Sequence, residues 1–359
     1  LAVELTESGC DAFVANTPVS MGYLHGFWEG SHERFLALMI SRRGEVELIC
    51  PALSATQAAR SGIERIHPWR DGENPLALFS SVAETWDLSG GVIAVDDHLP
   101  AKMLLEMQAA LPAALFKPGQ ALLGSLMRNK TADELVLMRR AADIADRAFE
   151  KIMPLLRPGL TERDVASKLG ALMSDMGGKP TFAIAATGPG SAEPHHLSDE
   201  TPLREGDVLI MDFGCDVGNY QSDITRTVAI GEATPEVQEA YRSVFAAHHA
   251  ARMLAAPGVS GAQVDAAARG VLAEAGLDQF FVHRTGHGIG MQVHEDPYIS
   301  ADNHDPLCEG DCFSVEPGVY LSGKFGIRIE NIVTLTESGC ESLNAEPSPE
   351  IMVANAWHC

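Results

Sequence analysis

Two stretches of the chain repeat one another 99 residues apart, and this duplicated layout constrains the fold more than any single motif. PGLTERDVASKLGALMSDMG (158–177) aligns without a gap against PGVSGAQVDAAARGVLAEAG (257–276). The Pro-Gly break, a cap at Thr161 or Ser260, a valine four residues later and a closing glycine coincide, which is the pattern of a capped helix. Each copy follows a longer helical stretch. The first, TADELVLMRRAADIADRAFEKIMPLL, opens with a capping box at Thr131 and Glu134 and is broken at Pro158-Gly159. The second starts at Thr234-Pro235, a cap followed by proline at the first helical position. Each copy then runs into strand-like sequence. Any two capped helices share such features, so coincidence is the competing reading. Duplication predicts a domain of two related halves.

Upstream of 128 the character differs. Strand-like runs at 12–16, FLALMI (35–40), EVELIC (45–50) and GVIAVD (91–96) accompany helical stretches near LSATQAAR and KMLLEMQAALPA, with SRRGE as a tight turn. We read an α/β domain over 1–127 with no catalytic constellation, and a second domain over 128–359. At 359 residues, with 46% hydrophobic and 21% charged, the chain suits two packed domains and not disorder. A formal net charge of −23 argues against nucleic acid or an anionic membrane surface as partner, since both would repel it. No run approaches the ~20 apolar residues needed to cross a bilayer. The start, LAVELTESGCDAF, has neither the basic residues nor the apolar stretch of a secretory signal. Seven cysteines lie without framework spacing, and Cys308 and Cys312 lack the second pair of a zinc site. Reduced thiols in a cytoplasmic protein are expected.

HRTGHGIGMQVHEDP (283–297) holds three of the thirteen histidines, His283, His287 and His294, at spacings that would align them on a helix. Gly286, Gly288 and Gly290 argue against one, since each costs about 1 kcal/mol there. In an extended chain the three glycines leave one face bare, where something large can approach the backbone, and His287 points the opposite way. A glycine-rich turn with ordinary histidines is the plainer alternative.

The carboxylates sharpen the question. VLIMDFGCDV (208–217) and GNYQSDITRTVAIG (218–231) form a hairpin about Gly218-Asn219, bringing Asp212 within a residue or two of Asp223. Opposed like charges destabilise a strand pair, and burial makes matters worse. CFSVEPGVYL (312–321) and GIRIENIVTLT (326–336) bring Glu316 towards Glu330 in the same way. Arg328, on the face of Glu330, can neutralise one charge there, so a salt-bridged structural cluster competes with an ion site. Four carboxylates with one imidazole, His287, form an oxygen-rich set that suits Mn²⁺, Co²⁺ or Zn²⁺ and leans towards Mn²⁺. Their summed charge matches two divalent ions. A pair of metals ~3.5–4 Å apart can activate a shared water and clamp a tetrahedral intermediate.

MDFG…SDITRT, HRTGHGIG…VH, SVEPG and GIRIEN resemble, in order and separation, the five-ligand pattern of the pita-bread metallopeptidases, among them methionine aminopeptidase, aminopeptidase P and prolidase. The likeness covers the chain from about 128 onward. The preceding domain resembles the creatinase-type domain of prolidases and aminopeptidases P, which methionine aminopeptidases lack. The fold implied is α+β: a creatinase-type α/β N-terminal domain, then a pita-bread catalytic domain with pseudo-twofold duplicated halves. The resemblance implies that Asp212 binds one metal, Asp223 and Glu330 bridge both, and His287 and Glu316 bind the other. Glu316 would also handle the proton of the attacking hydroxide. His195, in SAEPHHLSD beside His196, would stand near the scissile bond. His294 would meet the scissile carbonyl, and His283 and Arg328 are substrate-side candidates. Asn331 departs from the pattern, since many relatives carry Asp there, and tuning is the effect expected.

A bond preceding proline has no amide N–H and a fixed φ, so peptidases that grip an extended backbone handle it poorly. The family resemblance implies Xaa-Pro dipeptides, or longer Xaa-Pro peptides cut after the first residue, as substrates. A dipeptidase needs a group that captures the proline carboxylate. Arg34 and His32, in GSHERF, are candidates, from this chain or from the partner in the homodimer that creatinase-type domains commonly form; a solvated turn is the plainer reading. A metal-free binding relative is the alternative from another class, but such members usually lack several ligands. A creatinase-like amidinohydrolase does not share this set. Neither a kinase reading of Asp212-Phe213-Gly214 nor a dinucleotide reading of the glycines has its companion motifs.

Overall fold

The computed structural model describes residues 1–30 and 33–354. They divide into two compact units, Leu1–Met127 and Arg128–Cys359. No helix among the described residues is long and apolar enough to cross a membrane.

The first unit is an α/β domain. Its six strands are β1 (Ala12–Ala15), β2 (Ala37–Ser41), β3 (Val46–Pro51), β4 (Ile66–Trp69), β5 (Val92–Val95) and β6 (Leu115–Pro118). They form one mixed sheet in the order β4-β3-β2-β1-β5-β6. Six helices accompany it: α1 (Ala2–Glu7), α2 (Pro18–His25), α3 (Ala55–Arg60), α4 (Pro75–Thr85), α5 (Ala101–Ala110) and α6 (Gln120–Arg128). The sheet's core includes Val14, Met39, Ile49, Phe79, Trp86 and Ile93. The four expected strands are present with ends shifted by one or two residues. IHPW and LFKP form two more, and a physical reason hides them: each contains proline, which a sheet tolerates at its edge, and β4 and β6 are the edges. Helices α2 and α4 also went unpredicted, although Thr17-Pro18 and Asn74-Pro75 each place a side-chain cap before an N1 proline.

The second unit builds two halves on one plan. The first has helices α7 (Ala132–Ile152) and α8 (Glu162–Asp175) and strands β7 (Lys179–Thr187), β8 (Val208–Val217), β9 (Tyr220–Gln221) and β10 (Ile224–Ile230). The second has α9 (Pro235–Leu254) and α10 (Gly261–Glu274), then β11 (Gly286–Gly288), β12 (Glu295–Ile299), β13 (Cys312–Val315), β14 (Gly318–Leu321), β15 (Phe325–Arg328), β16 (Asn331–Thr336) and β17 (Gly339–Ser342). A last strand, β18 (Met352–Ala354), joins β10. After each helix pair come three antiparallel neighbours, β7-β8-β10 and β11-β13-β16.

The likeness extends to detail. Thr161 and Ser260 close capping boxes with Asp164 and Gln263. Gly159 and Gly258 both take φ 90°. The two cap residues form matching isolated bridges, Thr161 to Pro202 and Ser260 to Pro306. Each half has its own core, one around Ile144, Leu169 and Phe213, the other around Val244, Leu272 and Phe313. The fold is α+β with two duplicated halves in the second unit, as expected.

Candidate active site

The site is built where strands end. In the β8–β10 hairpin, Asp212 lies opposite Thr225 and Phe213 opposite Ile224. Asp223 stands one residue before β10, two positions along from Asp212. Gly214 lets the hairpin close there, because a Cβ on it would lie 2.0 Å from the Ser222 carbonyl oxygen.

The second hairpin is interrupted, which its sequence does not reveal. Val315 pairs with Asn331 in one sheet and Gly318 with Arg328 in a separate ribbon. Glu316 and Glu330 occupy the break between them, in matching register. The first half thus supplies two aspartates and the second half two glutamates. Cross-links between halves hold them: Arg328 Nη2 donates to Asp212 Oδ2 at 2.6 Å, and Thr225 Oγ1 donates to Glu330 Oε2 at 2.6 Å.

The glycines in HRTGHGIG leave a bare face for a close approach to the backbone, as expected. A Cβ on Gly286 would lie 1.8 Å from the Ser314 carbonyl oxygen, and one on Gly288 would lie 2.2 Å from that of Asp296. What approaches the bare face is neighbouring backbone, not a ligand. This close packing of β11 carries His287 to the carboxylates. One donor atom each from Asp223, His287 and Glu330 lie within 4.8 Å of one another.

His287 Nδ1 sits 3.0 Å from the Gly288 carbonyl oxygen, which can only accept, so Nδ1 carries the proton. Burial, with His294 adding to it, pushes the pKa of His287 down to about 3. The ring is therefore neutral. Nε2 turns a lone pair towards Glu316 Oε1 at 3.3 Å and Asp223 Oδ2 at 3.7 Å. Acceptor faces acceptor.

The carboxylates repeat this frustration. Asp212 Oδ1, Asp223 Oδ1 and Glu330 Oε1 are buried and have no hydrogen-bond partner among the described residues. Burial, and then the charge of neighbouring acids, raises Asp223 and Glu330 well above the ordinary carboxylate range. Burial raises Glu316 to about 7, with Asp212 adding to it and Arg328 opposing. Orphaned oxygens converging with an imidazole lone pair fit cations better than any set of protons, because each is a ligand atom without a donor. The residues present therefore fit divalent metal ions.

The other histidines separate by role. His294 is exposed, and its ring centroid lies 4.1 Å from that of His287. Its pKa is lowered, by burial first and then by Arg284. His195 is exposed and acts electrostatically on both His283 and His294. Its neighbour His196 turns to Glu162 at 2.7 Å. His283 has both nitrogens engaged, Nδ1 with the Arg284 carbonyl oxygen at 2.7 Å and Nε2 with the Tyr320 hydroxyl at 2.9 Å. It offers a ring edge and no free nitrogen.

Arg328 is buried, donating to Thr225 Oγ1 and the Tyr320 hydroxyl as well as to Asp212. It hydrogen-bonds Asp212 and not the Glu330 carboxylate, while its charge acts to lower the pKa of both Glu316 and Glu330. Arg34, in the first unit, pairs with Asp71 at 3.1 Å and Glu33 at 3.7 Å. His32 lies outside the described residues. Asn331 is buried and donates to Ser342 Oγ and the Ala345 carbonyl oxygen.

Sequence reading missed Thr225 and Tyr320. Thr225 was legible, because Asp223, Thr225 and Thr227 alternate on one strand face. It missed the buried ion pair between Lys130 and Glu295, 2.5 Å apart, beneath the turn bearing His294. It also missed Glu162, which reads in sequence as an ordinary acid in a first helical turn.

Comparison with known proteins agrees with this architecture. The model of Metallopeptidase family M24 matches residues 136–337, and that of the Creatinase/Prolidase N-terminal domain matches residues 1–128. A probable dipeptidase PepE of Mycobacterium tuberculosis is 39% identical over 98% of this chain and 94% of its own. A crystal structure of a prolidase from Thermococcus sibiricus superposes with a TM-score of 0.93 at 32% identity, covering 98% of this chain and 96% of that one. An X-Pro aminopeptidase from Thermotoga maritima superposes with a TM-score of 0.82 at 33% identity, over 98% and 99% of the two chains. The chain belongs to metallopeptidase family M24, a family of divalent-metal hydrolases, and carries a creatinase/prolidase domain ahead of the catalytic one.

Proposed function

We propose that this enzyme hydrolyses the peptide bond preceding proline in Xaa-Pro dipeptides, with two divalent ions, Mn²⁺ favoured, held by Asp212, Asp223, His287, Glu316 and Glu330. The observation that carries the reading is the convergence of three orphaned carboxylate oxygens with the His287 lone pair. When bound, the ions supply an activated water and polarise the scissile carbonyl. Glu316, beside the ions, takes the proton from the attacking water and passes it to the leaving proline nitrogen. His294 presents an exposed ring N–H to the carbonyl oxygen as charge develops there. His195, close by, orients the substrate at the scissile bond. Arg328 holds Asp212 in place from the dry side.

The dipeptide preference is supported by the prolidase and dipeptidase relatives. Removal of the first residue from longer Xaa-Pro peptides is the second reading, favoured by the likeness to the Thermotoga maritima X-Pro aminopeptidase. An assay of an Xaa-Pro dipeptide beside an Xaa-Pro-Xaa tripeptide, in added Mn²⁺, decides between them. Cleavage of the dipeptide supports the proposal, and cleavage of the tripeptide alone reverses it. Absence of hydrolysis with both removes it.

A further inference from the structure

Glu162, the first residue of α8, is completely buried, yet it lies outside the metal cluster. Its oxygens are fully employed. Oε1 accepts from the Thr187 backbone N–H at 2.7 Å, and Oε2 accepts from the Asp199 N–H at 3.1 Å and from His196 Nε2 at 2.7 Å. Glu162, His196 and Asp199 are close enough to resemble a cation site. The donors argue otherwise, because these Glu162 oxygens face N–H groups where Asp212, Asp223 and Glu330 have orphaned ones. Glu162 is a clasp. Thr187 and Asp199 bracket the turn that carries His195, and one carboxylate ties both ends of it.

The rest of the turn is pinned as well. Ser198 Oγ bonds both the N–H and the carbonyl of Ala185. A Cβ on Gly190 would lie 3.2 Å from the His196 ring, so glycine there leaves the ring its seat. At the far side Ser191 Oγ accepts from the Gly326 N–H of β15, the strand that ends in Arg328. His196 N–H donates to the Glu193 carbonyl oxygen at 3.0 Å and closes a turn with His195 inside it, and His195 is exposed and acts electrostatically on His283 and His294. Burial alone would lower the pKa of His196. The hydrogen bond and charge of Glu162 outweigh it, and the pKa is raised.

We propose that the Glu162–His196 pair is a positioning device for this reaction, fixing the 187–199 turn so that His195 meets the substrate. This rests on the assignment of His195 to the substrate made above. A charge-assisted bond seated on a rigid helix is suited to such support.

The test is a double-mutant cycle on hydrolysis of an Xaa-Pro dipeptide, with bound metal measured in each variant. His196→Met keeps bulk and removes the donor, whereas His196→Gln retains an N–H for Glu162. We expect His196→Met to lower kcat about tenfold with metal content unchanged, and His196→Gln to recover most of the loss. Combined with His195→Ala, His196→Met should add less than a twofold further loss. Hydrogen exchange in peptides covering 188–199 should quicken in His196→Met. An equal tenfold loss in the His195→Ala background would overturn the positioning role alone. So would equal losses in the Met and Gln variants, or a wild-type kcat in His196→Met. Wild-type rates in His195→Ala itself would remove the assignment of His195, and the inference with it.

Discussion

Asp223 is the residue at which stability and activity pull hardest against each other. It is buried, one of its oxygens has no partner, and its pKa is raised well above the ordinary range by burial and by Glu330, Asp212 and Glu316. Asp223→Asn keeps the shape and puts in that crowd an amide that never ionises, folded or unfolded. Two opposite outcomes are expected of this one variant. Dipeptide hydrolysis should fall at least 100-fold with loss of bound metal, while in excess chelator the variant should melt at a higher temperature than wild type. Metal analysis and paired thermal scans check both, and near-normal turnover would refute the ligand assignment. His294 is expected to act differently, because its ring meets the substrate and not the ions. His294→Ala should cost kcat about 10²–10³-fold, the range for one donor to a developing oxyanion, with metal stoichiometry intact. Loss of metal from that variant would move His294 into the ligand set.

At the scale of elements, what matters is how closely backbones approach. β11 lies against β13 with no room for a Cβ at 286. Gly286→Ala must push the strands apart, and His287 moves with its strand. We expect a loss of about 1–3 kcal/mol, the usual cost of overpacking, together with weaker metal binding. Chemical denaturation with and without Mn²⁺ measures both, and an unchanged midpoint would show that the strand yields cheaply. The same region marks how far sequence reasoning reaches. The glycines and His287 were visible as a non-helical segment aimed at an ion, but what occupied the bare face was not, since that depends on partners elsewhere in the chain. The carboxylate pairings were legible because hairpin register follows from turn position. The break that leaves Glu316 and Glu330 between two sheets was not, because strand propensity continues across it. Prolines hid β4 and β6 for a related reason: a proline marks a strand as an edge only once the sheet order is known. Glu162 stayed hidden because first-turn acids are common, and only the folded turn shows that this one is buried.

At the scale of the whole molecule, the two halves of the second unit meet around charges that neither could bury alone. This links stability to pH and to metal. A carboxylate whose folded pKa is raised holds its proton better folded than unfolded. Its contribution is favourable below the unfolded value and is lost as pH rises through the folded one. For Glu316, raised to about 7, that loss runs from the ordinary glutamate range up to about 7, and Asp223 and Glu330, raised well above their ordinary values, act in the same direction. His287 and His283, lowered to about 3 and 4, work in the other direction: they cost stability only as pH falls below about 6.5, the ordinary histidine value. Above pH 7 they are neutral folded and unfolded, and drop out. Bound cations favour the ionised carboxylates, so they remove the loss and release protons as they bind. The gap in melting temperature between Mn²⁺-loaded and chelated protein should therefore widen as pH rises from about 5 to about 7.5, across the Glu316 window. Buried thiols such as Cys312, raised to about 11 by burial, also titrate on unfolding, but they do so in both samples and cancel in the gap. Scans at three pH values, following the transition of the Arg128–Cys359 unit, make the measurement. Parallel curves, with a gap independent of pH, would mean that Asp223, Glu316 and Glu330 are not the groups that hold the ions.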